Sequence, residues 1–243
     1  MGIPSPAVTS SALINAPLMQ KVPFKPLKSF TPIMGHSISE HTALLVHKDA
    51  PWKTFNEFLE YARRNPGKVK YSTAGVGTDM HVAMNYIAYK QGIKWVHVPY
   101  KGQAPARTAL MGGHVDACSS GVDWAPYVQS GTVRVLATYG RKRSPNSPDI
   151  PTVKELGYDF VSESIHSIVG PAGLPQDVVR KLEIAFTKGT ETPEFKIAQE
   201  NLSLTPAYYD SQEYDRHLKE KWLRMEKLFK DTAIIKEAAT QPD

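Results

Sequence analysis

Short apolar runs and amphipathic segments alternate along the middle of the chain, and this alternation sets narrow limits on its fold. Residues 42–47 (TALLVH) have the pattern of a buried strand, and Phe55, Phe58, Leu59 and Ala62 then recur at helical spacing. Such alternation with short connections predicts an α/β sheet with helices on its faces. The predicted strands are at 42–47, 69–72, 95–98, 115–119 and 133–138, and the predicted helices at 54–64, 80–88, 104–111 and 124–128.

The two ends of the chain depart from this pattern. Pro17, Pro23, Pro26 and Pro32 interrupt residues 1–35, which predicts a loop or a short helix there rather than a core element. The last third predicts a strand at 165–169, followed by helices that open near residues 175, 192 and 211.

Cysteine content and charge exclude several kinds of site. Cys118 is the single cysteine in 243 residues, so we expect neither a disulfide framework nor a cysteine-based zinc site, and we interpret it as a small core residue. The eight histidines lack metal-binding spacing, so no metal or cofactor is predicted. The net charge of +5 is mild. Its densest basic cluster, 141–143, lies in a loop rich in Ser and Pro, and nucleic acid is not expected as a partner.

The first residues carry no basic segment followed by an apolar one, so no secretory signal is predicted at 1–10. No run of about 18 apolar residues occurs, which predicts no membrane-spanning helix.

A segment of small residues, YSTAGVGTDMH at 71–81, joins a predicted strand to a predicted helix. Small residues let a ligand approach the backbone, and the unpaired amides at a helix start favour an anion. The hydroxyls of Ser72, Thr73 and Thr78 are further donors. The segment therefore predicts a carboxylate or phosphate cradle, with an ordinary strand-turn-helix corner capped by Thr78 as the alternative.

Two residues near this segment have more than one interpretation. His81 lies in the first helical turn and has three interpretations. It is either a half-buried residue that hydrogen-bonds the turn, or a residue that contacts the ligand, or a catalytic base. Asp123 is one of a carboxylate pair with Asp116, or a helix cap before Trp124. A Gly-x-Ser-x-Gly nucleophile motif is absent from the sequence.

Several segments in fixed order resemble a known family. They are YSTAGVGTDMH at 71–81, HVPYKG at 97–102, GGHVD at 112–116 and PDIPTV at 148–153. Together they resemble the tripartite tricarboxylate transporter receptors of bacteria, the Bug or TctC-like extracytoplasmic solute-binding proteins. The resemblance covers nearly the whole chain from about residue 11.

The resemblance implies a periplasmic-binding-protein-like α/β fold of two lobes, with mixed sheets flanked by helices. It implies no catalysis: a small organic carboxylate binds in the cleft, the lobes close on it, and membrane transporter subunits receive it. It also implies a periplasmic location. The ligand-binding residues that it implies, together with the loop chemistry above, are Ser72, Thr73, Ala74, Gly75, Gly77, Thr78, His81, Tyr100, Asp123 and Ser164.

One part of the family pattern is missing. Family members begin with a strand and a Pro- and Gly-rich loop, and nothing in residues 1–10 resembles either. We therefore expect an incomplete first lobe formed by 1–45 and 161–243, and a second lobe with the ligand loop at 46–160. Open sheet edges in such a lobe favour a homo-oligomer. The alternatives to a receptor are an enzyme that uses His81 as base with Asp123 as its partner, and a degenerate relative that acts as an interaction module.

Overall fold

A computed structural model describes residues 7–9, 11–144 and 147–232. The chain folds into two compact units, one formed by Met1–Ser39 with Ser164–Asp243 and the other by Glu40–Glu163. In chain order the elements are β1 (Ala7–Thr9), α1 (Ala12–Met19), β2 (Phe30–Ser39), β3 (Ala43–His47), α2 (Phe55–Arg64), β4 (Lys70–Thr73), α3 (Asp79–Gln91), β5 (Val96–Pro99), α4 (Gln103–Met111), β6 (Ala117–Ser120), α5 (Ala125–Gln129), β7 (Val133–Thr138), β8 (Ser164–Pro171), α6 (Gln176–Thr190), α7 (Pro193–Asn201), β9 (Thr205–Tyr209) and α8 (Ser211–Thr232).

The unit formed by 40–163 is built on a five-stranded sheet in the order β5-β4-β6-β3-β7. Strands β5 and β6 run parallel to β4, whereas β3 is antiparallel to both β6 and β7. The continuous apolar run of β3 is buried because strands flank it on both sides and helices cover the sheet. The strands and helices predicted for this stretch are confirmed, with ends that shift by a few residues.

Local signals in the sequence explain where two of the helices begin and end. The Thr54 side chain accepts a hydrogen bond from the Glu57 amide at the start of α2. The left-handed Gly92, at a φ of 62°, ends α3. Buried residues lie around most of α3 rather than on one face.

The other unit holds a four-stranded antiparallel sheet in the order β1-β8-β2-β9. The prediction that 1–35 forms a loop or short helix is wrong for β2, which is ten residues long. Pro32 is tolerated in this strand because a register shift between Pro32 and Met34 relaxes the pairing with β8. Strand β9 was not predicted either. Its residues are mostly exposed, so it lacks an alternating apolar pattern.

The boundaries between the units differ from those expected from the sequence. The structure places them at 39/40 and 163/164, whereas the expected boundaries were 45/46 and 160/161. The expected cut would divide β3, whose partners β6 and β7 both belong to the second unit.

The long helix α8 begins at a side-chain cap. The cap is Asp210, whose carboxylate accepts from the Gln212 and Glu213 amides.

Candidate functional site

Three loops meet at the carboxyl edge of the parallel strands β4, β5 and β6. The backbone N–H of Tyr100 donates to the Thr73 carbonyl at 3.0 Å, and that of Gly102 donates to the Ala74 carbonyl at 3.2 Å. The loop after β5 is thus tied to the loop after β4. In open α/β sheets, ligands bind outside the carboxyl ends of the strands.

The loop after β4, which we call the glycine loop (74–78), depends on residues without side chains. Gly75 has a φ of 140° and Gly77 a φ of 81°, and L-residues rarely adopt either. A Cβ on Gly75 would also lie 3.5 Å from the Tyr100 carbonyl oxygen. The backbone of the loop therefore remains uncovered by side chains at these two positions.

Thr78 fixes the start of α3. Its Oγ1 accepts from the His81 N–H at 3.4 Å and donates to the Gly75 carbonyl at 2.9 Å. The cap interpretation of Thr78 is therefore confirmed. The same bonds hold the glycine loop against the first turn of a 13-residue helix, where the amides carry partial positive charge.

Two buried histidines support the glycine loop. The His81 and His97 rings stack with centroids 3.9 Å apart, and Tyr71 stacks on the other face of the pair, 4.9 Å from His97. His81 Nδ1 accepts from the Gly77 N–H at 3.4 Å, and His97 Nε2 lies 2.7 Å from Thr73 Oγ1. His81 Nε2 lies 3.1 Å from the side-chain amide of Asn85.

Burial keeps both imidazoles neutral at neutral pH. It lowers the pKa of His81 to about 4, and burial together with the neighbouring His81 lowers the pKa of His97 to about 3. His81 is only 4% exposed, and its two ring nitrogens face Gly77 and Asn85. It therefore hydrogen-bonds the turn, which was the first of the three interpretations of this residue.

The hydroxyls of Ser72 and Thr73 face the interior. Ser72 Oγ donates to the Ala106 carbonyl at 2.9 Å, and Thr73 Oγ1 accepts from the Gly75 N–H at 3.1 Å. Both side chains are fully buried. They connect the glycine loop to α4 and to the histidine pair.

Asp123 lies in the loop after β6 and pairs with an arginine that the sequence reasoning missed. Its two carboxylate oxygens each accept from Arg107 of α4 at 2.6 Å. Arg107 also donates to Ser120 Oγ at 3.3 Å and lies over the Tyr127 ring, 4.9 Å from its centroid. The cap interpretation of Asp123 is wrong, because the N-cap of α5 is Trp124. The sequence did carry a signal for this arginine: Arg107 lies between Ala106 and Leu110 on the apolar face of its helix, where a charged side chain needs a partner.

No hydrogen bond joins Asp123 to His81 in the described ranges. The carboxylate pair with Asp116 is also not formed as expected, because Asp116 accepts from the Lys70 amide at the amino end of β4. The arrangement that the enzyme alternative requires is therefore not present at this edge.

Ser164 belongs to the other unit, where it begins β8. Its Oγ accepts from the Ser11 N–H at 2.8 Å. The prediction that Ser164 contacts a ligand stays a prediction.

Other expectations concern the remaining surface and core. Arg141 pairs with Glu163 and Arg143 with Glu155 on exposed loops, which agrees with a solvated turn. Cys118 is buried, as expected of a core residue. Within the described ranges, no three His, Cys, Asp or Glu residues are grouped closely enough to hold a metal ion. No helix described there is both long and apolar enough to cross a bilayer.

The fold is that of the periplasmic binding proteins. The solved structure of the periplasmic binding protein BugD matches it with a TM-score of 0.85 and 27% identity, covering 94% of this chain and 78% of that one. The chain belongs to the tripartite tricarboxylate transporter family of receptors, whose model matches residues 6–234. The family resemblance and the fold class predicted from the sequence are thereby confirmed. Members of this family are solute-binding receptors.

Two further proteins place the chain within this family and fold. It is 37% identical over 211 residues to the UPF0065 protein in the gbd 5' region of Cupriavidus necator, covering 86% of this chain and 63% of the relative. The chain thus spans less than two thirds of that relative's length. MatC of Rhodopseudomonas palustris, solved with bound malate, has a TM-score of 0.82 at 23% identity over 92% of this chain and 78% of that one, a likeness of fold alone.

Proposed function

We propose that this chain is a periplasmic solute-binding receptor that holds a small organic carboxylate and delivers it to the membrane subunits of a tripartite tricarboxylate transporter. The observation that carries the proposal is the glycine loop against the capped start of α3, in a chain of this family. The receptor makes and breaks no covalent bond.

The physical basis of capture is a match between an anion and oriented backbone dipoles. Gly75 and Gly77 leave the loop backbone open, and the start of α3 presents amides with partial positive charge. We propose that Ala74, Gly75, Gly77 and Thr78 contact the carboxylate, with Tyr100 beside them. Ser72, Thr73 and His81 hold this loop from below through the hydrogen bonds described above.

The fold is known to accommodate such a ligand, since MatC was solved with malate bound. We take from it only the ligand class, a small carboxylate.

A thermal-shift screen tests the proposal directly. Acetate, lactate, succinate, malate, citrate, glutamate and benzoate would be added in turn to the purified chain, and binding to the folded state raises the melting temperature by mass action. We expect a concentration-dependent rise with at least one acid and none with an uncharged amide of the same shape. A flat response to every acid would overturn the proposal and favour a degenerate relative that acts as an interaction module.

A matched pair of glycine variants locates the binding. Gly77→Ala and Gly67→Ala each place a Cβ on a residue of positive φ, 81° and 74°, so both cost backbone strain. Only Gly77 lies in the glycine loop, whereas Gly67 precedes β4 at the opposite edge of the sheet. Loss of acid binding in Gly77→Ala alone supports the site, and equal binding in both variants contradicts it.

A further inference from the structure

Arg107 and Asp123 form an ion pair that is unusual in being buried on one side only. Both guanidinium–carboxylate bonds are 2.6 Å long. The Arg107 side chain is 5% exposed, whereas that of Asp123 is 34% exposed. A bidentate pair with a buried guanidinium is well ordered, and a change to either partner leaves the other charge uncompensated.

Hydrogen bonds connect this pair to the glycine loop. Ser72 Oγ, just before the loop, bonds the carbonyl of Ala106, the neighbour of Arg107. Arg107 bonds Ser120, and the adjacent Ser119 Oγ donates to the Met80 carbonyl in the first turn of α3 at 3.0 Å. The pair, formed by α4 and the loop after β6, therefore lies at the same sheet edge as the start of α3, since β6 is the neighbour of β4.

The charges at this edge balance. The loops after β4, β5 and β6, with the first two turns of the helices that follow them, carry two carboxylates, Asp79 and Asp123, and two cations, Lys101 and Arg107. Loss of the Arg107 charge alone would leave a net negative edge beside the proposed anion cradle. Like charges disfavour each other, most strongly at low ionic strength.

We propose that Arg107 is a positioning residue for anion selection: by pairing with Asp123 it holds the loop after β6 and cancels a carboxylate that would otherwise repel the ligand. This inference rests on the proposed function, and it names a residue outside the glycine loop that decides how well that loop accepts charge. The effect of Arg107 is exerted through Asp123, so the two residues must be tested together.

The experiment compares Arg107→Gln, Asp123→Asn and the double variant with the unaltered chain. Titration calorimetry would use succinate and monomethyl succinate, which have similar shapes but differ by one negative charge at about pH 8, and also the acid that gives the largest thermal shift. We expect Arg107→Gln to weaken succinate binding by about 3- to 10-fold at low salt and monomethyl succinate by less. The double variant should bind both nearly as the unaltered chain does, and Asp123→Asn should bind succinate more tightly.

A matched control is Arg64→Gln on α2. Arg64 lies 3.7 Å from Glu60 on the exposed face of α2, which ends at the opposite edge of the sheet, so its loss also leaves a carboxylate unpaired. We expect no change in acid binding from this variant. If Arg107→Gln is not obtained folded, Asp123→Asn carries the test through the ratio of the two affinities.

The results distinguish failure of the inference about Arg107 from failure of the proposed function. Equal losses for both probes in Arg107→Gln and in the double variant would show a purely structural role and overturn the inference, as would unchanged ratios in all variants. An unaltered chain that binds no acid at all would instead overturn the proposed function.

Discussion

His81 and His97 stack ring on ring 3.9 Å apart beneath the glycine loop, and both belong to a network without room for an added proton. His81 Nδ1 already accepts from the Gly77 N–H, and His97 Nδ1 has no hydrogen-bond partner among the described residues. A protonated ring would have to donate from both nitrogens. The stability of the glycine loop is therefore linked to pH.

The direction of this linkage follows from the lowered pKa values of about 4 for His81 and about 3 for His97. In the unfolded chain a histidine side chain takes up a proton below the ordinary imidazole pKa of about 6.5. In the folded chain these histidines do not take one up until the pH approaches 4. Stability is thus complete above about pH 6.5 and falls as the pH drops toward 4, by about 3 kcal/mol for His81 alone. Urea unfolding between neutral and mildly acidic pH measures the slope.

Replacing a histidine of the pair tests whether the pair causes this loss of stability at acid pH. We expect His97→Gln to reduce the loss of stability on acidification, because one buried imidazole no longer titrates. A slope unaffected by His97→Gln would contradict the assignment to this pair.

Thr78→Ala should lower both stability and ligand affinity. The hydroxyl caps α3 and bonds the Gly75 carbonyl, so its loss costs about 1 to 2 kcal/mol of unfolding free energy. Thr54→Ala is the matched control, since Thr54 caps α2 through the Glu57 amide at 3.2 Å. Chemical denaturation should show similar losses for the two variants, while only Thr78→Ala weakens acid binding by calorimetry. Equal affinities would show that the cap does not shape the cradle.

Elements set by local pattern were predictable, and contacts set by tertiary structure were not. The repeat of Phe55, Phe58, Leu59 and Ala62 predicted α2 because a helix brings those positions to one face. By contrast, β2 was missed because a proline argues locally against a strand, and a bulge opposite β8 relieves that conflict.

The candidate site shows the same division. The glycine loop was visible in the sequence because positive φ values and a capped helix start are properties of consecutive residues. The partners of the loop were not visible. His97 reaches His81 only through the parallel pairing of β5 with β4, and Arg107 reaches Asp123 only once α4 packs on the sheet.

Tyr139→Phe should destabilise the unit of 40–163 because it removes a buried hydroxyl, while the aromatic ring stays in place. The Tyr139 hydroxyl is fully buried, 3.0 Å from Ser119 Oγ and 3.5 Å from the Met84 sulfur. Removing it takes a hydrogen bond from Ser119, whose other bond positions the first turn of α3. We expect a loss of about 1 to 2 kcal/mol by chemical denaturation, whereas Tyr61→Phe, on an exposed face of α2, should change stability little. Equal values for the two variants would contradict the role given to this hydroxyl.

Cys118 offers a probe of opening in the same unit, because it is the single thiol of the chain. It lies in β6, fully buried, and burial raises its pKa to about 11. The thiolate is the reactive form, so both access and ionisation protect this residue in the folded state. We expect a thiol reagent near neutral pH to label the native protein slowly and the urea-unfolded protein at one thiol per chain, with saturating ligand slowing the native reaction further. Fast labelling of the native protein would show that β6 opens readily, contrary to its position between β4 and β3.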